Sequence, residues 1–566
     1  MQFTKPTASQ SMMKTAVLTV VLFFASGAFA NDFMPDTLLK PTVSFTGAPA
    51  TASIADTFIV TATDESESGK TATITATGSC TVPAGSEGGT VTVTMTKSTG
   101  SCTLKASWAA DAKYAAATAT QKTTATIGYA ESVIYPFYSQ SPDGMTPSCN
   151  GMIMDKAGNI YGTTPGSAGT GTLGGGGAVF EVSPVEGGGW TEKVLFLFNP
   201  ESTGFNGYYP CGTLAFDSKG NLYGTTMGGG NLDACVGGGT TGCGTVYELT
   251  PSETGYWTPT LIYAFNGGNT DGFWPRAGVT LGSTTATTLY GTTGCGGTGV
   301  LLGEGGECEI DGGVPVGAGT VYELAYTKPT KTNKGGWEET VLLSFAGNES
   351  TTSGANVGGF SPLSGVLLKS GNLYGGTQSG GEGGGGVVYE LEPGAGGWTE
   401  NVLYNFCSQP NCGDGAGPMY GVPAMDSTGN LYGTGNYGGV YDKGAIWELV
   451  SSAATKTYTE KVLYSFGTNL NDGTNPSWGI VPYKTGWYGT TGGSNTSTCG
   501  TAFSLAYSAS TGWQENNLWQ FNGQSDVCEV GYNQLIVDTK GNFYGMGMIG
   551  PGPNSLSGGV FEISPK

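Results

Sequence analysis

The chain of 566 residues contains no histidine, and that single absence removes several chemistries. A Ser-His-Asp triad, a Cys-His pair and imidazole metal ligation are all excluded. Any catalysis would have to rest on carboxylates, tyrosines, lysines or a metal with oxygen ligands. Basic residues are scarce: 22 Lys and Arg stand against 43 Asp and Glu, the formal net charge is −21, and Arg276 is the single arginine. Phosphate neutralisation needs clustered Lys or Arg, so no nucleic-acid partner is expected. Long apolar runs are also lacking. The best, "AVLTVVLFFA" at 16–25, is too short to span a bilayer comfortably.

That run follows Lys5 and Lys14 and precedes "GAFA", in which Ala28 and Ala30 give a small-x-small cleavage pattern. Residues 1–30 therefore read as an export signal and 31–40 as a linker. No Cys follows Ala30, and the tail "GGVFEISPK" carries no hydrophobic anchor. A secreted or periplasmic protein with no membrane span after signal removal is expected. Twelve cysteines fit an oxidising compartment. Spacing suggests local pairs Cys80 with Cys102, Cys235 with Cys243, Cys295 with Cys308, and Cys407 with Cys412. Cys149, Cys211, Cys499 and Cys528 remain, and spacing does not fix their connectivity. No paired C-x-x-C occurs, which argues against zinc.

What the chain has in excess is glycine, 101 residues, clustered between short apolar segments. That is the pattern of many strands joined by tight turns. Residues 41–128 alternate at period two in "DTFIVTAT", "KTATITAT", "TVTVTMT" and "CTLKASW", which predicts an Ig-like β-sandwich with Trp108 in its core. From 130 onward a repeat takes over. "GNIYGTT", "GNLYGTT", "TTLYGTT", "GNLYGGT", "GNLYGTG", "TGWYGTT" and "GNFYGMG" place Tyr161, Tyr223, Tyr290, Tyr374, Tyr432, Tyr488 and Tyr544 at comparable positions. Each unit lays out as four short strands. The second carries this motif, the third reads as "VYEL", and the fourth resembles "WTEKVLFLF" at 190–198. In that fourth strand Trp190, Val194, Phe196 and Phe198 are expected on one side, with Leu195 and Leu197 on the other.

Seven units of four strands predict a seven-bladed β-propeller over 130–566, giving an all-β chain. The last unit stops after its third strand, while "AESVIYPF" at 130–137 is a fourth strand with no unit before it. The amino-terminal strand should therefore complete the last blade and leave no open edge. The string D-x-x-G-N-L-Y-G-T-T, G-T-V-Y-E-L, W-T-E-x-V-L-Y-x-F, D-G-x-x-P-x-x-G resembles the Gloeo/Verruco (GloVer) tandem repeat of exported bacterial choice-of-anchor proteins. The resemblance implies a bacterial exported protein and brings no catalytic residues with it.

The repeated residues read as architecture. Asp155, Asp217, Asp426 and Asp538 start D-x-x-G-N turns in which Gly and Asn are expected to tolerate positive φ. No D-x-D-x-D-G string supports calcium. Glu181, Glu248, Glu323, Glu390, Glu448 and Glu562 are expected to be hydrogen-bond acceptors at strand ends. No metal or other cofactor is expected. Function should lie where repeats differ, on the face that carries both the 2→3 and the 4→1 connections. There Tyr208 and Tyr209, Phe273 and Trp274, Phe360, Arg276, Tyr420 and Trp478 flank the prolines of G-x-x-P loops. Aromatic rings stack on sugars or anchor protein surfaces, so binding of an extracellular polysaccharide or protein without chemistry is expected. The rivals are a carbohydrate-active lyase or hydrolase, with Glu304, Glu307, Glu309 and Asp311 as candidate acids, and a structural envelope or matrix component.

Overall fold

The computed structural model describes residues 38–566, apart from 139–146, 148–150, 167–174, 200–206, 237–240, 300–307, 311–313, 331–333, 348–357, 469–471, 495–498, 551–555 and some single or paired positions. The expected export signal, Cys149, Glu304, Glu307 and Asp311 lie outside the described residues. Regular structure among the described residues is β-strand, with two short 3-10 turns at Pro410–Cys412 and Val530–Tyr532. No helix there is long and apolar enough to cross a membrane. Contacts divide the chain into two compact units, Met1–Thr126 and Ile127–Lys566.

The first unit consists of two four-stranded sheets that share one core of Val60, Val93, Leu104 and Trp108. The alternation of the sequence appears directly as burial, as in Thr90–Met95, where every second residue is buried. The Cys80–Cys102 disulfide ties a strand of one sheet to a strand of the other.

Among the described residues the second unit holds seven four-stranded antiparallel sheets, beside smaller two-stranded ones. Sheet I comprises Ile153–Met154, Ile160–Thr164, Ala178–Pro184 and Trp190–Leu197. Sheets II to VI follow within 208–264, 280–344, 367–405, 424–465 and 481–520. Sheet VII takes three strands from 536–565, and its fourth is the early strand Tyr129–Tyr138, paired antiparallel with Leu556–Pro565. The strand expected to complete the last unit does so.

One aromatic contact repeats between all neighbouring sheets. The phenylalanine ending each fourth strand meets the third-strand aromatic of the next sheet: Phe198 with Tyr247, Phe265 with Tyr322, Phe345 with Tyr389, Phe406 with Trp447, Phe466 with Phe503, and Phe521 with Phe561. The seventh contact is Phe137 of sheet VII on Phe180 of sheet I, at 5.1 Å between centroids. The order of sheets is therefore cyclic.

The repeated motif explains itself in this packing. Its glycine lies beneath the third-strand aromatic: a Cβ on Gly433 would sit 2.3 Å from Trp447 Cζ2, and one on Gly224 would sit 2.5 Å from the Tyr247 hydroxyl. The first threonine reaches across to the next sheet. Thr225 Oγ1 donates to the carbonyl of Ala277 (2.9 Å), Thr292 to Ser364 (2.7 Å), Thr434 to Trp478 (3.0 Å) and Thr490 to Asn533 (3.0 Å). The tyrosine hydroxyl reaches the carboxylates expected to be structural, as when the one Tyr432 O–H lies within hydrogen-bond distance of both Asp426 (3.1 Å) and Glu448 (2.8 Å).

Two local expectations need correction. In the D-x-x-G-N turns only the glycine is left-handed, with φ +86° at Gly220. The asparagine contributes its side chain instead, Asn221 Nδ2 donating to Asp217 Oδ2 at 3.0 Å. The strict alternation of the fourth strand is broken by a β-bulge opposite Val179 and Phe180. Leu195 is the extra residue and enters the core, whereas Leu197 is 43% exposed. The same register shift recurs in all seven sheets, which re-aims the strand end carrying the phenylalanine.

Candidate functional site

Antiparallel order places the 2→3 and 4→1 connections on one face of the second unit. These connections pair with each other: Gly272–Phe273 with Cys295–Gly296, Gly359–Phe360 with Ser379–Gly380, and Gly473–Thr474 with Gly493–Ser494. The residue before the loop proline is left-handed even where it is not glycine, with φ +56° at Tyr209, +60° at Trp274, +55° at Ser361 and +59° at Asn475. Left-handed backbone disfavours L-residues by about 1–2 kcal/mol. It is held here because each N–H donates to a carbonyl of the preceding sheet's entry into its third strand: Gly176, Cys243, Ala318 and Lys443, at 2.8 to 3.1 Å.

This backbone decides where the expected aromatics go, and they do not form one surface. Tyr208 and Tyr209 meet edge to face at 5.2 Å, with Tyr209 44% exposed. The Tyr208 hydroxyl donates to the Thr241 carbonyl, and burial pushes its pKa up. Phe273 is 1% exposed and belongs to the core, so it displays no ring. Trp274 packs half-buried against that core, and the Arg276 guanidinium lies 5.8 Å from its ring centroid. Phe360 is half-buried at the margin of the same cluster. Tyr420 and Trp478 stack on one another, centroids 5.2 Å apart and planes 13° from parallel.

A concave region of about 900 Å³ lies between sheets IV and V and is lined by Glu390, Glu392, Glu400, Lys456 and Tyr458 among others. The Tyr420–Trp478 pair lines another, smaller concave region of the second unit. Below it, the first strands and lead-in segments of sheets II to VII converge on a cavity of about 370 Å³ that reaches from Leu214 and Val366 to Gln534. Above it, on the connection face over sheets IV to VII, opens a cleft of about 560 Å³. Gln378, Tyr420, Asn436, Tyr437, Asn475, Ser477, Ser494 and Tyr532 line the cleft together with Met419, Thr474, Gly492 and Gly493. Tyr437 is 50% exposed and Tyr532 40%. The amide layer is braced: Ser477 Oγ donates to Asn436 Oδ1 (2.8 Å), and Asn475 Nδ2 donates to the Asn436 carbonyl (3.2 Å). Tyr437 is fixed through backbone pairing with Ala416. Of the aromatics singled out in the sequence, only Tyr420 lines this cleft, and only Trp478 joins it in the cavity below. Gln378, Tyr437 and Tyr532 were missed. Gln378 and Asn436–Tyr437 stand directly after the repeated motif, where the copies diverge, and that divergence is the available signal.

The loops are stapled as spacing suggested, by Cys235–Cys243, Cys295–Cys308 and Cys407–Cys412. Cys499 pairs with Cys528, tying sheet VI to the segment that enters sheet VII. Cys211 is also disulfide-bonded, and none of the described cysteines is free. Glu309 lies in a two-residue strand, Glu309–Ile310, paired with Val314–Pro315.

A second set of recurring carboxyls lies elsewhere. Asp271, Asp414, Asp472 and Asp526 are buried and accept from backbone N–H groups and from Tyr263, Tyr404, Tyr464 and Trp519 on the preceding sheets. Beside them stand fourth-strand glutamates. Burial, reinforced by the aspartate, pushes Glu131, Glu339 and Glu515 up to about 8 and Glu460 up to about 7. None of these lines the cleft or the cavity. Among the described residues no group of His, Cys, Asp and Glu is arranged to hold a metal.

No family model and no curated protein matches the chain. Among solved structures it is similar to a putative phosphatase from Bacteroides thetaiotaomicron, with 9% identity, a TM-score of 0.40, and coverage of 93% of this chain and 98% of that one. An auxiliary nutrient binding protein from the same species gives 10% identity and a TM-score of 0.39, covering 94% and 99%. A polysaccharide lyase described as an ulvan lyase gives 9% identity and a TM-score of 0.36, covering 76% and 95%.

Proposed function

We propose that the chain is an exported seven-bladed β-propeller of the Gloeo/Verruco repeat type, preceded by an immunoglobulin-like sandwich. The cleft of Tyr420, Tyr437 and Tyr532 holds an extracellular polysaccharide without reacting with it. The cyclic order of seven sheets and the completion of the last by an early strand support the propeller reading. The two sheets joined by Cys80–Cys102 support the sandwich, and disulfides support an oxidising compartment.

The observation that carries the binding reading is the composition of the cleft. Tyrosine rings and amides converge there, while among the described residues no carboxylate, lysine or arginine lines it. Glycoside hydrolysis canonically uses a pair of carboxyl groups flanking the bond, and the described lining supplies none, which leaves its tyrosines as the groups a lyase reading would have to use. Ring faces and paired donor–acceptor amides are what a sugar surface requires.

The test is retention on a panel of polysaccharides beside a Tyr437→Ala/Tyr532→Ala variant, with the same mixtures assayed for new reducing ends and unsaturated sugars. Retention by the wild type that the variant loses, without product, is the expected result. Product would move catalysis to the front. A protein partner is the second reading, favoured by Val440 (73% exposed) and Tyr441 (50% exposed) beside Tyr437. No retention on any glycan would leave that reading or a structural role.

A further inference from the structure

The charge pattern of the cleft narrows the ligand, an inference that rests on the binding reading above. A glycan bearing uronate or sulfate groups is held by cations, and the guanidinium fork matches such anions best. The chain's one arginine, Arg276, has its guanidinium beside Trp274 and is absent from the cleft lining. The lysine nearest in sequence, Lys443 in the loop that follows Tyr437, runs its aliphatic stem over Gly467, with its Cγ 2.9 Å from where a Cβ on that glycine would sit. The acids described in the neighbouring loops include Glu382, Asp442, whose Oδ1 accepts from the Gly438 N–H at 3.0 Å, and Glu529, together with the buried Asp414, Asp472 and Asp526. Against a chain of net charge −21 an anionic polymer approaches uphill, and among the described residues no cation of the lining compensates.

The polar side chains that line the cleft include Gln378, Thr474, Asn475, Ser477 and Ser494 with the tyrosine hydroxyls, groups that donate and accept, while Asn436 is buried and engaged with Ser477 and Met419. Sugar hydroxyls also do both, so such a surface pairs with them without needing charge. We infer that the cleft binds a neutral polysaccharide, a polymer of uncharged sugar units laid against Tyr437 and Tyr532, and discriminates against uronate and sulfated polymers. Its volume of about 560 Å³ is that of a small-ligand site, room for a short stretch of the polymer.

Affinity electrophoresis of the full chain on dextran, mannan and mixed-linkage glucan, beside alginate, polygalacturonate and a sulfated galactan, tests this at low and high salt. The expected result is retardation by a neutral polymer and by none of the anionic ones. Affinity should change less than about twofold with salt, since no ion pair is screened. Tyr437→Ala/Tyr532→Ala should lose roughly tenfold, about 1.4 kcal/mol. Both side chains are well exposed, so the variant should keep the wild-type Tm. Gln378→Lys should gain several-fold in affinity for alginate, because it places a cation in the lining. Tighter binding of an anionic polymer by the wild type, or a several-fold fall with salt, overturns neutrality; if the double variant still abolishes that binding, the cleft reading stands. Neutral binding unchanged in a folded double variant overturns the cleft assignment. Retention by no glycan overturns both readings.

Discussion

Single side chains settle most of what the repeat means. The glycine of the motif has a value that can be measured against a control. Gly433→Ala forces a methyl to within 2.3 Å of Trp447 Cζ2 and should destabilise by about 1–3 kcal/mol. Gly371→Ala, where nothing lies within 4 Å but φ is +91°, should cost about 1–2 kcal/mol through backbone alone. Urea unfolding of both separates packing from conformation. Thr225→Val keeps shape but removes the one hydroxyl proton shared between the carbonyls of Cys211 and Ala277, and should cost about 1–3 kcal/mol. The fourth-strand glutamates give a pH dependence of definite sign. Glu131, Glu339, Glu460 and Glu515 each bury an Oε1 with no hydrogen-bond partner among the described residues. Their folded pKa values, about 7 to 8, lie above the unfolded value, so the folded state binds more protons in between. That stabilisation is present on the acid side and is lost as pH rises through 7 to 8. Tm should fall from pH 5.5 to pH 8.5, and a flat or rising profile would sink the idea.

At the level of strands and loops, the sequence was legible wherever a residue's role is local. Third-strand "VYEL", the Asp of each D-x-x-G-N turn and the loop staples stand where the repeat put them, and so does the displaced fourth strand at 130–137, whose partner is distant but whose motif repeats that of the other fourth strands. Roles fixed only by distant partners were not legible. The bulge at Leu195 leaves no mark because both sides of the fourth strand are apolar. Phe273 and Tyr420 occupy related loops, yet one enters the core and the other lines the cleft, according to what the neighbouring sheets offer. The Cys499–Cys528 bridge is likewise a contact between neighbours. Removing it as Cys499→Ala/Cys528→Ala should cost about 2–4 kcal/mol in denaturant unfolding. The Tyr437 loop of sheet V, with no disulfide between its second and third strands, should show unchanged hydrogen exchange in that variant.

For the second unit as a whole, closure is the decisive property. Deleting Tyr129–Tyr138 removes the partner of Leu556–Pro565 and takes Phe137 from Phe180, opening the cycle between sheets VII and I. An unpaired strand edge templates association with other chains. The deletion should therefore convert a defined species into oligomers on size exclusion and lower Tm; a monodisperse product of unchanged Tm would refute the cyclic packing. The same seam sets a timetable for biosynthesis. Glu131 and Ile563 are register partners separated by roughly 430 residues. At about 5–20 residues per second, the early strand waits roughly 20 to 90 seconds for the ribosome to deliver its mate. Until that mate is available the early strand has an unpaired edge, the kind of edge that templates association with other chains.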